Sequence, residues 1–256
     1  MDSQTMVELE DVTAFTNEVE ATTWAIPRLT SAEQNVILTA SNKRVNELNA
    51  TLQDRNPNPK VELHSSDAVK STSHEDLVDV LSPELIANNR NHSVPPHMLV
   101  LKKGDVCFLM ATLSKKDGIV KNQRLRIIQL GTRLIQAELL LEGGVVRRCL
   151  IPRFRFSFKF HQHLEITRLQ FPLRLAYAMT FNKSQGQTFQ RVLMDSKAQQ
   201  MFGSHIRGGF AHGHLYVALG RVRQMSHVSV LVDANCRGTN GPITANVVFN
   251  ELLTYA

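Results

Sequence analysis

Long hydrophobic runs are missing from this sequence. No apolar stretch in its 256 residues approaches the roughly 20 that span a bilayer, so a membrane partner is not expected. Cysteine is scarce: Cys107, Cys149 and Cys236 are far apart and odd in number, which argues against a disulfide framework and for a reducing, intracellular setting. The ten histidines do not fall beside cysteines at zinc-ligand spacing, so no metal site is expected. The opening residues, MDSQTMVELEDV, are acidic and lack an apolar core, so no signal peptide is expected. A P-loop is absent as well. Gly203 to Gly208 and Gly208 to Gly213 have the glycine spacing of G-x-x-x-x-G-K-[ST], but Gly209 and His214 stand where the phosphate-binding lysine is required.

What is present is enough for a sizeable core: 43% of the residues are hydrophobic, ordinary for one or two globular domains. The net charge of +6 is unevenly spread. Residues 1–30 carry −5, with Arg28 the one cation, whereas residues 102–159 carry +9. A basic block behind an acidic lead suggests a polyanionic partner, with solvated surface as the plainer explanation of any charge run.

The chain is organised around AMTFNKSQGQTF, residues 178–189, set between the apolar runs 173–179 and 192–194. Strand, polar turn, strand is the simplest pattern. Thr180, Asn182, Lys183, Ser184, Gln185 and Gly186 offer donors, one fixed cation and a glycine that admits close backbone approach, a chemistry suited to phosphate oxygens. The same residues also suit a short helix capped by Asn182, backed by Gln185 and ended by Gly186.

Ahead of it, Val36, Ile37 and Leu38 read as a buried strand. Ser41 or Asn42 then caps a helix with Val45, Leu48 and Leu52 on one face, an anion-friendly junction common to any α/β domain. Residues 1–30 show weak helical periodicity at Val7, Val12, Phe15 and Val19. Residues 53–97, punctuated by proline, read as loops with one short helix near Glu75–Leu81. From Met98 short β segments alternate with turns at Lys103-Gly104, Lys116-Asp117-Gly118, Lys121-Asn122 and Gly143-Gly144, implying a small antiparallel barrel or sandwich with its cations on turns and strand ends. Phe154, Phe156, Phe158 and Phe160 line one face of a strand, suited to core packing or to base stacking. Residues 212–223, HGHLYVALGRVR, read as one helix with His214 and Arg221 on a shared face. Val228–Val232 reads as a last strand and Val247–Leu253 as a closing helix. Asp195 and Asp233 read as strand-end residues. The expected plan is an acidic segment 1–30, an α/β domain formed by 31–85 and 171–235, a basic β domain at 86–170 inserted into it, and a C-terminal loop and helix at 236–256.

Segments 178–189 and 212–223 together resemble motifs V and VI of superfamily-one helicases, in the branch of the Pif (petite integration frequency) DNA helicases and the Helitron transposon helicases. VPPHMLVLKKGDVCFLM, 94–110, looks like the start of that family's inserted barrel; ILTASNKRVNELN, 37–49, resembles its motif IV region; TANVVFNELL, 244–253, looks like its C-terminal end. The resemblance implies a RecA-like parallel-sheet motor domain, the second of two, carrying a Src-homology-3-type barrel. It implies 5′-to-3′ DNA unwinding with ATP and magnesium, single-stranded DNA as partner, roles in DNA repair, recombination or telomere maintenance, and a nuclear or mitochondrial setting. Thr180, Asn182 and Lys183 would face the DNA backbone, with Ser41 and Asn42 as further DNA contacts. Gln185 and Gly186 would lie near the γ-phosphate, and Arg221 would be the arginine finger. The sequence departs from the family at Gly220, where serine is usual, at His214, where glutamine is usual, and at Lys121-Asn122, where the family has Asn-Gly. With no P-loop, the first motor domain is expected as a separate partner and the chain is expected to be inactive alone. A stand-alone nucleic-acid-binding module or a degenerate transposon relic is the alternative.

Overall fold

Continuous apolar runs, rather than alternating ones, mark the strands of the first of two compact units, and such strands belong to a sheet covered on both faces. The computed structural model describes residues 3–31, 33–71, 93–141, 144–161, 164–197, 200–202, 205–207, 213–236 and 239–248. The first unit comprises residues 1–55, 142–144 and 176–256, and the second comprises 56–141 and 145–175.

The chain opens in the first unit with β1 (Ser3–Glu8), β2 (Thr13–Phe15), α1 (Glu18–Leu29), β3 (Asn35–Thr39) and α2 (Asn42–Asp54). It passes through the second unit as β4 (Lys60–His64), β5 (Ser66–Ser71), β6 (Met98–Lys102), β7 (Val106–Leu109), β8 (Arg124–Gln129), β9 (Leu134–Leu140), β10 (Val146–Pro152), β11 (Phe154–His161), β12 (Leu164–Gln170) and β13 (Leu173–Leu175). It returns to the first unit as β14 (Ala178–Thr180), α3 (Phe181–Ser184), β15 (Arg191–Asp195), β16 (Gln200–Phe202), β17 (His205–Arg207), α4 (His214–Leu219), β18 (Val228–Leu231) and β19 (Ile243–Val248).

In the first unit β14, β3, β15, β18 and β2 form, in that order, a five-stranded parallel sheet. All five residues of β3 are buried, and Val36, Leu38, Met194, Val230, Phe181 and Phe189 share one core. Each such side chain contributes on the order of 1.5–3 kcal/mol by leaving water. Val45, Leu48 and Leu52 of α2 are buried as their spacing predicts. Asn49 on the same face bonds the main chain of Ala178 in both directions, accepting from its N–H at 2.9 Å and donating to its carbonyl at 3.3 Å. β1 and β19 form a separate antiparallel pair.

In the second unit β10, β9, β8, β7 and β13 form an antiparallel sheet, β11, β12 and β5 a second, and β4 and β6 a third. Leu63, Leu99, Leu101, Leu125, Ile127 and Ile135 pack into one core. Turns fall at Gly118 and Asn122 as the sequence suggests, and there Gly118 has φ +64° and Asn122 φ +69°, both left-handed. The five-stranded order has two ends, β10 and β13, so among the described residues this sheet is open where closure into a barrel is expected.

The structure corrects several expectations. Residues 13–15 extend the parallel sheet and α1 begins only at Glu18, burying Ala21, Ala25 and Leu29 while Val19 stays 61% exposed. The compact units divide at 55/56 and 175/176, not at 85/86 and 170/171, because β4 pairs with β6 across a long sequence gap and β5 pairs with β12. The helix proposed at 75–81 lies outside the described residues. Residues 247–248 continue β19 rather than begin a helix, since β1 supplies their partners. Phe156 and Phe158 are buried but Phe154 is 36% exposed. Not all cations lie on turns: Arg124 and Lys102 are buried, as is Arg168, which binds Asp67 at 2.7 Å and donates to the Pro95 carbonyl at 3.1 Å. Arg168 and Asp67 hold the base of the 94–110 segment; the Ser65 hydroxyl donates to Asp67 Oδ1 at 2.6 Å and lies 2.8 Å from His97 Nδ1.

Candidate functional site

Parallel neighbours β3 and β14 end at the same sheet edge, so the loops that leave them lie side by side. The loop after β3 leads into α2 with Ser41 as N-cap, in extended conformation, its hydroxyl accepting from the Arg44 N–H at 3.2 Å. Asn42 is the first helical residue. The loop after β14 makes the single-turn α3, with Thr180 as N-cap and no side-chain cap bond. Lys183 Nζ donates to Asn42 Oδ1 at 3.4 Å, which joins the two loops. Ser41, Asn42, Asn182 and Lys183 are all exposed at this edge, one cation among three polar side chains at a helix N-terminus. Thr180 is different: it ends β14 opposite Thr39 and is only 8% exposed.

Strand, polar turn, strand is therefore refined: a helical turn intervenes, and its buried Ser184 hydroxyl donates to the Phe181 carbonyl at 2.6 Å. Asn182 lies inside the turn instead of capping it. Gln185 and Gly186 follow, both exposed. Gly186 has φ +76°, a conformation costly to any residue with a Cβ.

The second half of the candidate site is Arg221. The helix α4 stops at Leu219, because Gly220 supplies its C-cap, so residues 212–223 are not one helix. His214 and Arg221 consequently do not share a face. His214 is buried with its ring 5.0 Å from that of Phe181, and burial pushes its pKa down. Arg221, just beyond the helix, turns back: its Nε donates to the Val217 carbonyl at 3.0 Å and its NH1 to the Gln187 carbonyl at 3.4 Å. The Phe189 N–H closes the arrangement by donating to the Arg221 carbonyl at 2.8 Å. The structure thus brings Arg221 against the same 185–189 loop that carries Gln185 and Gly186. Two of the five guanidinium donors are engaged by carbonyls, which fixes the plane of the fork and leaves further donors for an anion.

Sequence reasoning missed the parts played by Gln187 and Arg44. Gln187 ties the loop together, its side-chain amide donating to the Lys183 carbonyl at 3.1 Å while its own carbonyl receives Arg221. Arg44 and Asp195 form an ion pair at 2.7 Å at the edge where β15 ends, and Arg44 also reaches Glu18 at 3.0 Å. Asp195 is therefore engaged as a strand-end anchor of α2. Among the described residues no group of three or more His, Cys, Asp or Glu could hold a metal ion, and no helix is long and apolar enough to cross a membrane. The Arg221 guanidinium and the exposed Gln185 and Gly186 are groups chemically suited to meet an anion.

A mixed α/β chain with a five-stranded parallel sheet, anion-friendly loops at one sheet edge and an arginine braced against the loop beside it defines the class. The particular likeness follows from comparison. Over 151 residues the chain is 29% identical to the ATP-dependent DNA helicase PIF1 of Danio rerio, covering 58% of the chain and 22% of that protein. Over 153 residues it is 30% identical to the human ATP-dependent DNA helicase PIF1, covering 59% of the chain and 22% of that protein. Over about half its length, then, the chain is homologous to PIF1 DNA helicases. No protein-family model matches it. In fold it resembles the crystal structure of Pif1 helicase from Candida albicans, with a TM-score of 0.58 at 20% identity over 84% of this chain and 50% of that one. It also resembles Bacteroides Pif1 bound to single-stranded DNA, with a TM-score of 0.55 at 19% identity over 86% of this chain and 44% of that one. The chain spans about a fifth of the curated relatives' length and about half of the solved chains.

Proposed function

We propose that this chain is the C-terminal part of a Pif-type, ATP-dependent 5′-to-3′ DNA helicase. Its parallel-sheet unit is the second RecA-like motor domain, and its antiparallel unit corresponds to the Src-homology-3-type insertion. The unit contributes DNA contacts and an arginine finger to a nucleotide bound chiefly by a separate first motor domain. The observation that carries this reading is the bracing of Arg221 by the Gln187 carbonyl, beside Gly186. It joins two sequence segments 34 positions apart into one anion-facing surface. The polar cluster of Ser41 and Asn42 from one loop and Asn182 and Lys183 from its neighbour is read as the DNA side of this sheet edge, with Lys183 as its fixed charge. Bound ATP would supply the free energy of phosphoryl transfer. This chain's part is to present a permanent planar cation to the γ-phosphate and to hold the DNA backbone at the sheet edge.

The test is a titration of the chain with oligothymidylate at several salt concentrations. Lys183→Ala should weaken binding and reduce the slope of log K against log salt by about 0.7, the share of one neutralised single-strand phosphate. An unchanged slope and affinity would remove Lys183 from the interface.

A further inference from the structure

The five-stranded sheet of the second unit ends at β10, and among the described residues no strand pairs with its outer edge. The Leu141 N–H donates to the Val145 carbonyl at 2.9 Å. In the β9–β10 register this puts the bonded positions of β10 at 147, 149 and 151. The main-chain groups of Val146, Arg148 and Leu150 therefore face away from β9, and Pro152, which has no N–H, closes the run. The side chains along this edge are an unusual mixture. Leu150 is 57% exposed and Val146 42%, and Leu134, opposite Pro152, is 47% exposed. Between and beside them stand Arg147, exposed, and Arg148, 74% exposed. Arg148 is 3.7 Å from Glu138, whose other oxygen is taken by Arg126 at 2.8 Å, so this carboxylate offsets little of the local charge.

An unpaired edge with exposed aliphatic side chains is a template for an added strand. Charge decides which strand. Two copies of β10 would set Arg147 and Arg148 against their own counterparts, and like charges across paired strands are destabilising. Single-stranded DNA would answer the cations but not the rest. Leu134, Val146 and Leu150 offer no ring for base stacking, and a phosphodiester chain has no donor for the outward carbonyls. An acidic extended peptide answers all three features: it pairs with the main-chain groups, brings carboxylates to the arginines and lays alternate apolar side chains on Val146 and Leu150.

We propose that the outer edge of β10 is a docking site for an acidic, extended segment of a partner protein, bound by strand addition. The proposal is independent of the helicase reading, since it uses no residue of the parallel-sheet unit. The test is fluorescence anisotropy on the full chain with a labelled peptide Asp-Val-Asp-Ile-Glu-Val-Asp, a counterpart with lysine at every acidic position, and oligothymidylate as competitor. Saturable binding of the acidic peptide alone is expected, undisturbed by oligothymidylate. Arg147→Glu should weaken it by about tenfold or more. Leu150→Pro, which removes an outward N–H and no bond to β9, should weaken it comparably while the thermal melt stays in place. Equal binding of the lysine peptide, or no saturable binding of the acidic one, overturns the proposal. Displacement by oligothymidylate does so as well, assigning the edge to nucleic acid. Should Leu150→Pro fail to fold, an unchanged affinity in Arg147→Glu overturns it alone.

Discussion

The guanidinium of Arg221 touches two carbonyl oxygens, those of Val217 and Gln187, and both contacts are made just beyond the Gly220 C-cap at the end of α4. Bracing of this kind favours an arginine that acts at one place and in one orientation. When the chain is joined to a first motor domain of the same type, Arg221→Lys should lower kcat by on the order of 10³-fold, while KM for ATP changes far less. A lysine keeps the charge but loses the planar fork and both carbonyl contacts. Steady-state ATPase kinetics decide the matter: a kcat within about threefold of the parent returns Arg221 to the role of a helix-end brace. Lys183 and Gly186 stood out in the sequence by residue type, whereas Arg221 stood out only through the resemblance to motif VI. Gln187 did not, because its part is played by a main-chain carbonyl that every residue possesses.

The helix α2 depends on more than its apolar stripe. Its first turn is pinned by Arg44, which binds Asp195 at 2.7 Å and Glu18 at 3.0 Å, tying it to the end of β15 and the start of α1. The Asp195 side chain is 2% exposed, so Arg44→Met leaves a buried carboxylate without its partner and should cost about 3 kcal/mol in denaturant unfolding. The double variant Arg44→Met/Asp195→Leu should cost clearly less than the two single variants summed, and additivity within about 0.5 kcal/mol would refute the coupling. Acid should reveal the same anchor. Burial tends to raise the Glu18 pKa, but bonds from Arg44 and Lys197 outweigh it and hold the group below its ordinary 4.5. Its contribution is therefore present above that pH and lost as pH falls through the lower, folded-state value. In Arg44→Met the acid limb of the stability curve should flatten.

At the scale of the molecule, two units share one chain, the first comprising residues 1–55, 142–144 and 176–256 and the second 56–141 and 145–175. The unit with the candidate finger has no P-loop anywhere in its sequence, so the isolated chain should not hydrolyse ATP, with or without DNA. Phosphate release from the purified chain is the measurement. DNA-stimulated turnover that vanishes in Arg221→Ala would show that the chain grips the triphosphate by some other means.

What the sequence determined by itself was local. It fixed the buried strand and amphipathic helix at 36–52, the turns at Gly118 and Asn122, and the order of chemically distinctive motifs, because propensity, apolar period and side-chain chemistry act over a few neighbours. The tertiary structure decided what depends on a distant partner. β2 is a strand because β18 lies beside it, and β4 and β5 exist because β6 and β12 pair with them. Residues 247–248 are extended because β1 lies opposite. Arg168 could be buried only because Asp67 was brought to it across 101 positions. The exposed edge of β10 became visible only once the strand order was known. Pairing across a sheet leaves no periodic mark in either strand, so no window of sequence could have shown it.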